Sequence, residues 1–241
     1  MENKLDSYLR AYEGNTKYDI DNEIVLNWYS RRVLNTDKQI NSMLDLGLGH
    51  GYSAQIFSRT IPDYTVLDGS HDVIEHFVKR FPDNKANIVE TFFENYSTTK
   101  RYDAIVMGFV LEHVDYPEEL LNHFKEFLSD DGRMFIAVPN AKALNRRLGY
   151  EMDILPHYHL LSDHDHLLGH QRLYTVELLK QCVELAGYSI IRTEGIYLKP
   201  FTTNQMIASD LPIDATRALC VVGVGYPELC CSILMEVRKG A

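Results

Sequence analysis

The stretch MLDLGLGHGYSAQIF, residues 43–57, sets Gly47, Gly49 and Gly51 at alternate positions between an apolar run and an amphipathic one, with Asp45 just ahead. Lacking a Cβ, such residues adopt backbone dihedrals closed to others, so the main chain can press against a ligand where a helix is about to begin. A flat, nucleoside-bearing molecule suits that bend. The spacing lacks the G-K-[ST] ending of a phosphate-binding loop, and G-x-G-x-G is not the G-x-G-x-x-G of dinucleotide sites. A carboxylate at Asp45 repels a pyrophosphate and favours a ligand that carries positive charge. A second carboxylate, Asp68, ends the next apolar run in TVLDGS. At a strand end it can accept from both hydroxyls of a ribose.

Histidine provides the other chemistry. Five of the ten histidines fall between positions 157 and 170, in LPHYHLLSDHDHLLGHQRLYTVELLKQCVELAGY. His157, His159, His164, His166 and His170, with Asp163 and Asp165, offer nitrogen and oxygen ligands, yet no H-E-x-x-H or other ordered spacing joins them. Metal sites are marked by such spacing, so no metal is expected. A mobile cover over a ligand is the better reading of an irregular polar stretch of this length.

These residues need elements to hold them. Apolar runs alternate with helical patterns: SMLDLG, DYTVLD, KANIVE, YDAIVMG and GRMFIAVP read as strands, while SAQIFSRTI, VIEHFVKRF and PEELLNHFKEFL read as helices, the last with Pro117 at its start. Continuous apolar strands are those covered on both faces. Right-handed crossovers between parallel neighbours then give a doubly wound α/β sheet, whose ligand crevice lies at the carboxyl ends of its strands. At the amino end, YEGNTKYDIDNEIVLNWYSRRVL reads as a helix laid over that crevice, with Trp28 and Tyr29 on its buried face and Arg31 and Arg32 in solvent.

Composition narrows the classes. With 241 residues, 45% of them hydrophobic, the chain can bury one sizeable core. A formal charge of −10 opposes binding to nucleic acid, which calls for a basic face. No apolar run approaches the roughly 20 residues of a membrane span, and the first residues lack a signal-peptide core, so a cytoplasmic protein without a membrane partner is expected. The four cysteines form no C-x-x-C pair and are read as buried thiols.

In these segments the chain resembles the class I S-adenosylmethionine-dependent methyltransferases. The resemblance rests on LDLGLGHG, then VLDGS, then YDAIVMGFVLEHVDYPEELLNHFKEFLSDDGRMFIAVPN, and covers roughly residues 40–198. It implies a mostly parallel seven-stranded sheet of order 3-2-1-4-5-7-6 with a reversed last strand, SIIRTEGIYL and ELCCSILMEVR being the sixth and seventh strands and LEHV opening the crossover helix after the fourth. It implies S-adenosylmethionine as cofactor and S-adenosylhomocysteine as product. Residue by residue, the methionyl part falls beside Asp45, Gly47, Gly49 and Gly51, the ribose on Asp68 between Gly69 and Ser70, and the adenine near Phe92, Phe93 and Glu94. Met107 and Gly108 line the sulfonium end, and Tyr18 covers the cofactor.

The same resemblance puts His113, in LEHV, on the acceptor side, where an imidazole suits the removal of a hydroxyl proton. The pattern GHxRxY of one methyltransferase subgroup matches GHQRLY. It makes His170 a second candidate base and puts Arg172 and Tyr174 on the acceptor, the guanidinium as a clamp for a carboxylate or phosphate. The whole reads as a single methyltransferase domain over residues 1–241, with an N-terminal helical cap (1–40), a lid (140–173) and an insertion (199–228) before the last strand. Its acceptor is expected to be a hydroxyl of a small polar molecule, such as a sugar or polysaccharide precursor, handled by a monomer or homodimer. N-methylation of an amino sugar or other amine, O-methylation of a quinone-type acceptor, and a regulatory protein that only binds the cofactor are the alternatives.

Overall fold

The structure, a computed structural model, describes residues 4–12 and 18–240. A 3-10 turn (Lys4–Tyr8) leads into α1 (Leu9–Tyr12), and after α2 (Asp19–Leu34) strands and helices alternate. They run β1 (Ser42–Leu46), α3 (Tyr52–Thr60), β2 (Asp63–Asp68), α4 (His71–Arg80), β3 (Asn87–Glu90), β4 (Tyr102–Gly108), α5 (Pro117–Lys125) and β5 (Leu128–Pro139). Then come α6 (Leu144–Glu151), α7 (Asp163–Leu168), α8 (Val176–Leu185), β6 (Tyr188–Ile196), α9 (Thr203–Ala208), α10 (Ile213–Gly223) and β7 (Ser232–Lys239). The seven strands form one sheet in the order β3-β2-β1-β4-β5-β7-β6, parallel except for β7, which runs against both its neighbours. The α/β architecture and the strand order match the sequence reading.

Alternation along the strands divides the core in two. Leu44, Leu46, Ile105, Met107, Met134 and Ile136 face one layer with Leu121, Phe124 and Val183 of α5 and α8. Met43, Val66, Ala104, Val106, Phe135 and Ala137 face the other with Tyr29, Phe57 and Phe77 of α2, α3 and α4. Successive side chains on a strand point to opposite faces, so both sets must be apolar when helices cover both. That requirement is why these strands read as unbroken apolar runs.

Two expectations are corrected. LEHV does not open a helix: residues 110–116 form a turn, with the His113 amide donating to the Val110 carbonyl (3.0 Å), and α5 begins at Pro117. Pro117 holds Tyr116 in a non-helical conformation (φ −125°, ψ 78°), so the helix cannot extend upstream. Arg32 is not solvated. Its Nε and Nη2 donate to the two oxygens of Glu194 on β6 at 2.7 Å each, and Arg192 bridges Glu194 to Glu236 of β7. This fork-to-fork pairing fastens α2 across the edge of the sheet. Arg31 is exposed as expected, whereas of the four free thiols Cys231 is only partly buried.

Gly51 caps α3 in the left-handed region (φ +80°), and a Cβ there would lie 2.6 Å from the rings of Phe77 and Phe81. Gly51→Ala is therefore expected to destabilise the protein by about 2–4 kcal/mol, combining backbone strain with overpacking. Gly49 has φ +48° but open space, its nearest neighbour being a Tyr12 carbon at 3.8 Å. Gly49→Ala should shift the denaturant midpoint less than Gly51→Ala, and equal shifts would contradict the packing argument.

Candidate functional site

The carboxyl ends of β1, β2, β4 and β5 open into a cavity of about 840 Å³, roofed by α2, α7 and the N-terminal turn. That size is typical of a small-molecule site. Its floor is the glycine bend. Gly47 and Gly49 both have positive φ (+86° and +48°) and face the cavity, with the Gly47 amide tied to the Leu67 carbonyl at 2.7 Å. Gly51 lies behind, locked against Phe77.

Asp68 joins the two loops. One carboxylate oxygen accepts from the Leu48 amide (2.8 Å) and the other from the Ser70 amide (2.9 Å), so the bend after β1 and the start of α4 hang on one side chain. Burial pushes its carboxyl up from the usual range while these two amides pull it down. Ser70 caps α4, its Oγ accepting from the Val73 amide and donating to Asp6 (2.6 Å). A Cβ on Gly69 would meet Leu5 at 2.7 Å, so the N-terminal turn lies directly on this corner.

Of the residues expected at the cofactor, Tyr18, Gly47, Gly49, Asp68, Gly69, Ser70, Phe93 and Gly108 line the cavity. Asp45, Gly51, Phe92, Glu94 and Met107 do not. Phe92 is 45% exposed while its neighbour Phe93 turns inward, and Met107 is fully buried in the core beneath. Asp45 points away into the layer of α2 and α3, accepting from the Tyr64 hydroxyl at 2.7 Å. Burial raises its carboxyl to about 7, against the opposing pull of the Tyr64 bond. Tyr18 stacks on His164 of α7, with ring centres 4.0 Å apart.

At the far end stand His113 and His170, rings edge to face with centres 4.8 Å apart. His170 Nδ1 meets Asp165 Oδ1 at 2.9 Å, and the other oxygen of Asp165 accepts from the Ser162 amide (2.7 Å) and hydroxyl (2.6 Å) in the capping box of α7. Burial alone would raise the Asp165 carboxyl, yet the His170 and Ser162 bonds hold it well below the usual range. An ionised carboxylate only accepts, so Nδ1 of His170 carries a proton. Burial lowers His113 to about 4, assisted by the neighbouring His170. Arg172 and Tyr174 do not line the cavity: the guanidinium reaches the Asp115 carbonyl (3.4 Å), and the phenol donates to the Leu111 carbonyl (3.3 Å).

Several lining residues escaped the sequence reading. Glu112 is wholly buried with neither carboxylate oxygen paired, and burial raises it to about 7. It stood inside LEHV, where only the histidine drew attention. The orienting role of Asp165 had a signal in S-x-x-D, the capping-box spacing from Ser162. Phe109, a non-glycine residue at φ +61°, had none.

Comparison with known proteins decides the family. A family profile described as Methyltransferase domain matches residues 22–193, most of the chain. The chain belongs to this methyltransferase family. It is a class I S-adenosylmethionine-dependent methyltransferase, with S-adenosylmethionine as its cofactor. It is 25% identical over 182 residues to a ubiquinone biosynthesis O-methyltransferase of Glaesserella parasuis serovar 5 (strain SH0165), covering 70% of this chain and 74% of that one. Its fold is similar to that of a possible histamine N-methyltransferase from Thermotoga maritima (TM-score 0.65, 15% identity, 98% and 97% of the two chains). It is also similar to the N-methyltransferase NodS of Bradyrhizobium japonicum WM9 in complex with S-adenosylhomocysteine (TM-score 0.60, 12% identity, 99% of each chain). Among the described residues of this methyltransferase no helix is long and apolar enough to cross a membrane.

The position of Asp45 in the methyltransferase core has a pH consequence. Its folded value near 7 exceeds the roughly 3.9 of an unfolded aspartate, so between those values the native state keeps a proton that the unfolded chain has released. Stability from this group is therefore fully present below about pH 4 and lost as pH rises to 7. Asp45→Asn, which still accepts from Tyr64, should gain on the parent across that window in urea unfolding. A difference that does not change with pH would refute the assignment.

Proposed function

We propose that the protein transfers the methyl group to a hydroxyl of a small polar acceptor, a sugar, polysaccharide precursor or related metabolite. The observation that carries this reading is His170, held by Asp165 at the wall of the chamber with His113 beside it. S-adenosylmethionine, when bound, supplies an electrophilic methyl on a sulfonium that leaves readily. The chain must then orient the acceptor oxygen in line with that methyl, exclude water and take one proton.

The chamber fits the cofactor. Gly47 and Gly49 offer bare main chain for the methionyl part, and Asp68 keeps lone pairs for two ribose hydroxyls after accepting the Leu48 and Ser70 amides. Gly69 and Ser70 flank the ribose, Phe93 rather than Phe92 takes the adenine side, and Gly108 meets the sulfonium end. Tyr18, stacked on His164, closes the roof. Asp45, Gly51, Phe92, Glu94 and Met107 act from behind the walls, and Arg172 and Tyr174 brace the turn that carries Glu112 and His113.

The O-methyltransferase name of the curated relative supports an oxygen acceptor, including a quinone-type one. The unpaired carboxylate of Glu112 favours a second reading, an amine acceptor, as do the N-methyltransferase names among the structural neighbours. The formal charge of −10 supports a small-molecule acceptor over a nucleic acid.

Two substitutions test this. His170→Ala should lower kcat by roughly 100-fold or more on a hydroxyl acceptor, the usual worth of a positioned base, without changing cofactor affinity. On an amine acceptor the loss should be slight, because an amine parts with its proton readily. Asp68→Ala should weaken S-adenosylmethionine binding in calorimetry by about 1.5–3 kcal/mol, the worth of hydrogen bonds to a charged group. Unaltered affinity in that variant would remove Asp68 from the ribose.

A further inference from the structure

Methyl transfer leaves Glu112 unexplained. Its side chain is fully buried yet lines the chamber, and neither oxygen finds a partner. One ligand atom each from Glu112, His113 and His170 lies within 4.8 Å of the other two. Both imidazoles already have one ring nitrogen engaged, His170 on Asp165 at 2.9 Å and His113 on the Gly169 backbone. A backbone carbonyl and a carboxylate only accept, so each engaged nitrogen carries a proton, and a neutral ring offers a metal its lone pair on the other nitrogen. Two imidazoles and an unpartnered buried acid thus converge at one point of the chamber, and a cation between them would satisfy the bare oxygens of Glu112.

We infer that Glu112, His113 and His170 bind a divalent transition-metal cation at the acceptor end of the chamber. Two imidazoles and one carboxylate form a donor set for zinc, cobalt, manganese or iron rather than calcium or magnesium. Metal-bound imidazoles characteristically donate their second N–H to a carboxylate or a backbone carbonyl, and both such partners are in place here. A tetrahedral cation requires ligand atoms roughly 3.3 Å apart, so the three must draw inward. They sit on the turn 110–116 and the segment after α7, which can make that movement without shifting a strand. Three protein ligands leave coordination open toward the chamber, facing the acceptor. The site does not rest on the acceptor reading above, and with a cation bound it would take the place of His170 as free base, because a ligating nitrogen has no lone pair left for a proton.

Chelator-stripped full-length protein titrated with Co²⁺, followed by visible absorption and calorimetry, tests the site. One equivalent per chain with the strong visible bands of low-coordinate cobalt is expected. Those bands should vanish in Glu112→Gln and in His170→Ala, and Asp165→Asn should bind about 10–100-fold more weakly, as the loss of an outer partner does. S-adenosylhomocysteine affinity on the same samples reports that each variant is folded. Absence of a saturable one-equivalent signal, or an unchanged signal in Glu112→Gln, overturns the site. Methylation by the stripped protein is scored separately: transfer without cobalt binding removes the cation alone, whereas cobalt binding without transfer to any acceptor keeps the site and removes the transfer reading.

Discussion

A single buried carboxylate organises the glycine-bend end of the chamber. Asp68 accepts the Leu48 amide with one oxygen and the Ser70 amide with the other, and so fixes the spacing between the glycine bend and the first turn of α4. Neither loop has a strand partner at that point, and an unpaired buried amide is costly, so the bend's geometry depends on this bridge. Ser70 extends the bridge outward, capping α4 with the same hydroxyl that reaches Asp6. The N-terminal turn, the second loop and the first loop are thereby joined in one hydrogen-bonded chain. What lies on the floor of the chamber and what lies on its roof are therefore mechanically connected.

The far end of the chamber, at His113 and His170, is held differently. There the wall is a turn and a short helix rather than strand ends, and the six-residue α7 (Asp163–Leu168) is too short to be stable by itself. Its capping box does two things at once: the Asp165 oxygen that closes the helix belongs to the carboxylate that fixes the His170 ring. Formation of α7 and orientation of the imidazole are then one event. Tyr8 packs against Gly169, and Tyr18 stacks on His164, so the same N-terminal segments that touch the cofactor corner also hold α7. Covering the chamber and arming its far end follow from one set of contacts.

Legibility in the sequence follows the same division. Features set by local repetition were readable: apolar runs gave the strands, helical spacing gave the crossovers, and the glycine bend and Asp68 marked two strand ends that open on one cavity. The order of the strands came from resemblance, since spacing alone leaves many orders open. Features set by contacts across the chain were not readable. Arg32 looks like one of a solvated pair, and only the arrival of Glu194, 162 positions later, buries it. Phe92 and Phe93 are equal in the sequence, and the 3-10 turn at Phe93–Asn95 decides which of them faces inward. Asp45 follows the pattern of a site residue, yet its position on the strand directs it to Tyr64, on the opposite side of β1 from Leu44 and Leu46.

Glu112 shows where stability and chemistry part. An acid with no exposure and no partner lowers stability whether ionised or not, and an apolar side chain of similar size there would pack as well without that penalty. Gln171 binds the Glu112 backbone carbonyl through its amide and the His113 carbonyl through its side chain, bonds that fix the main chain and leave the carboxylate bare. His113 and His170 flank it with their N–H groups turned elsewhere. A buried acid left without a partner at a chamber wall costs stability without serving the fold, and a group kept at such a cost is a mark of chemistry rather than of packing.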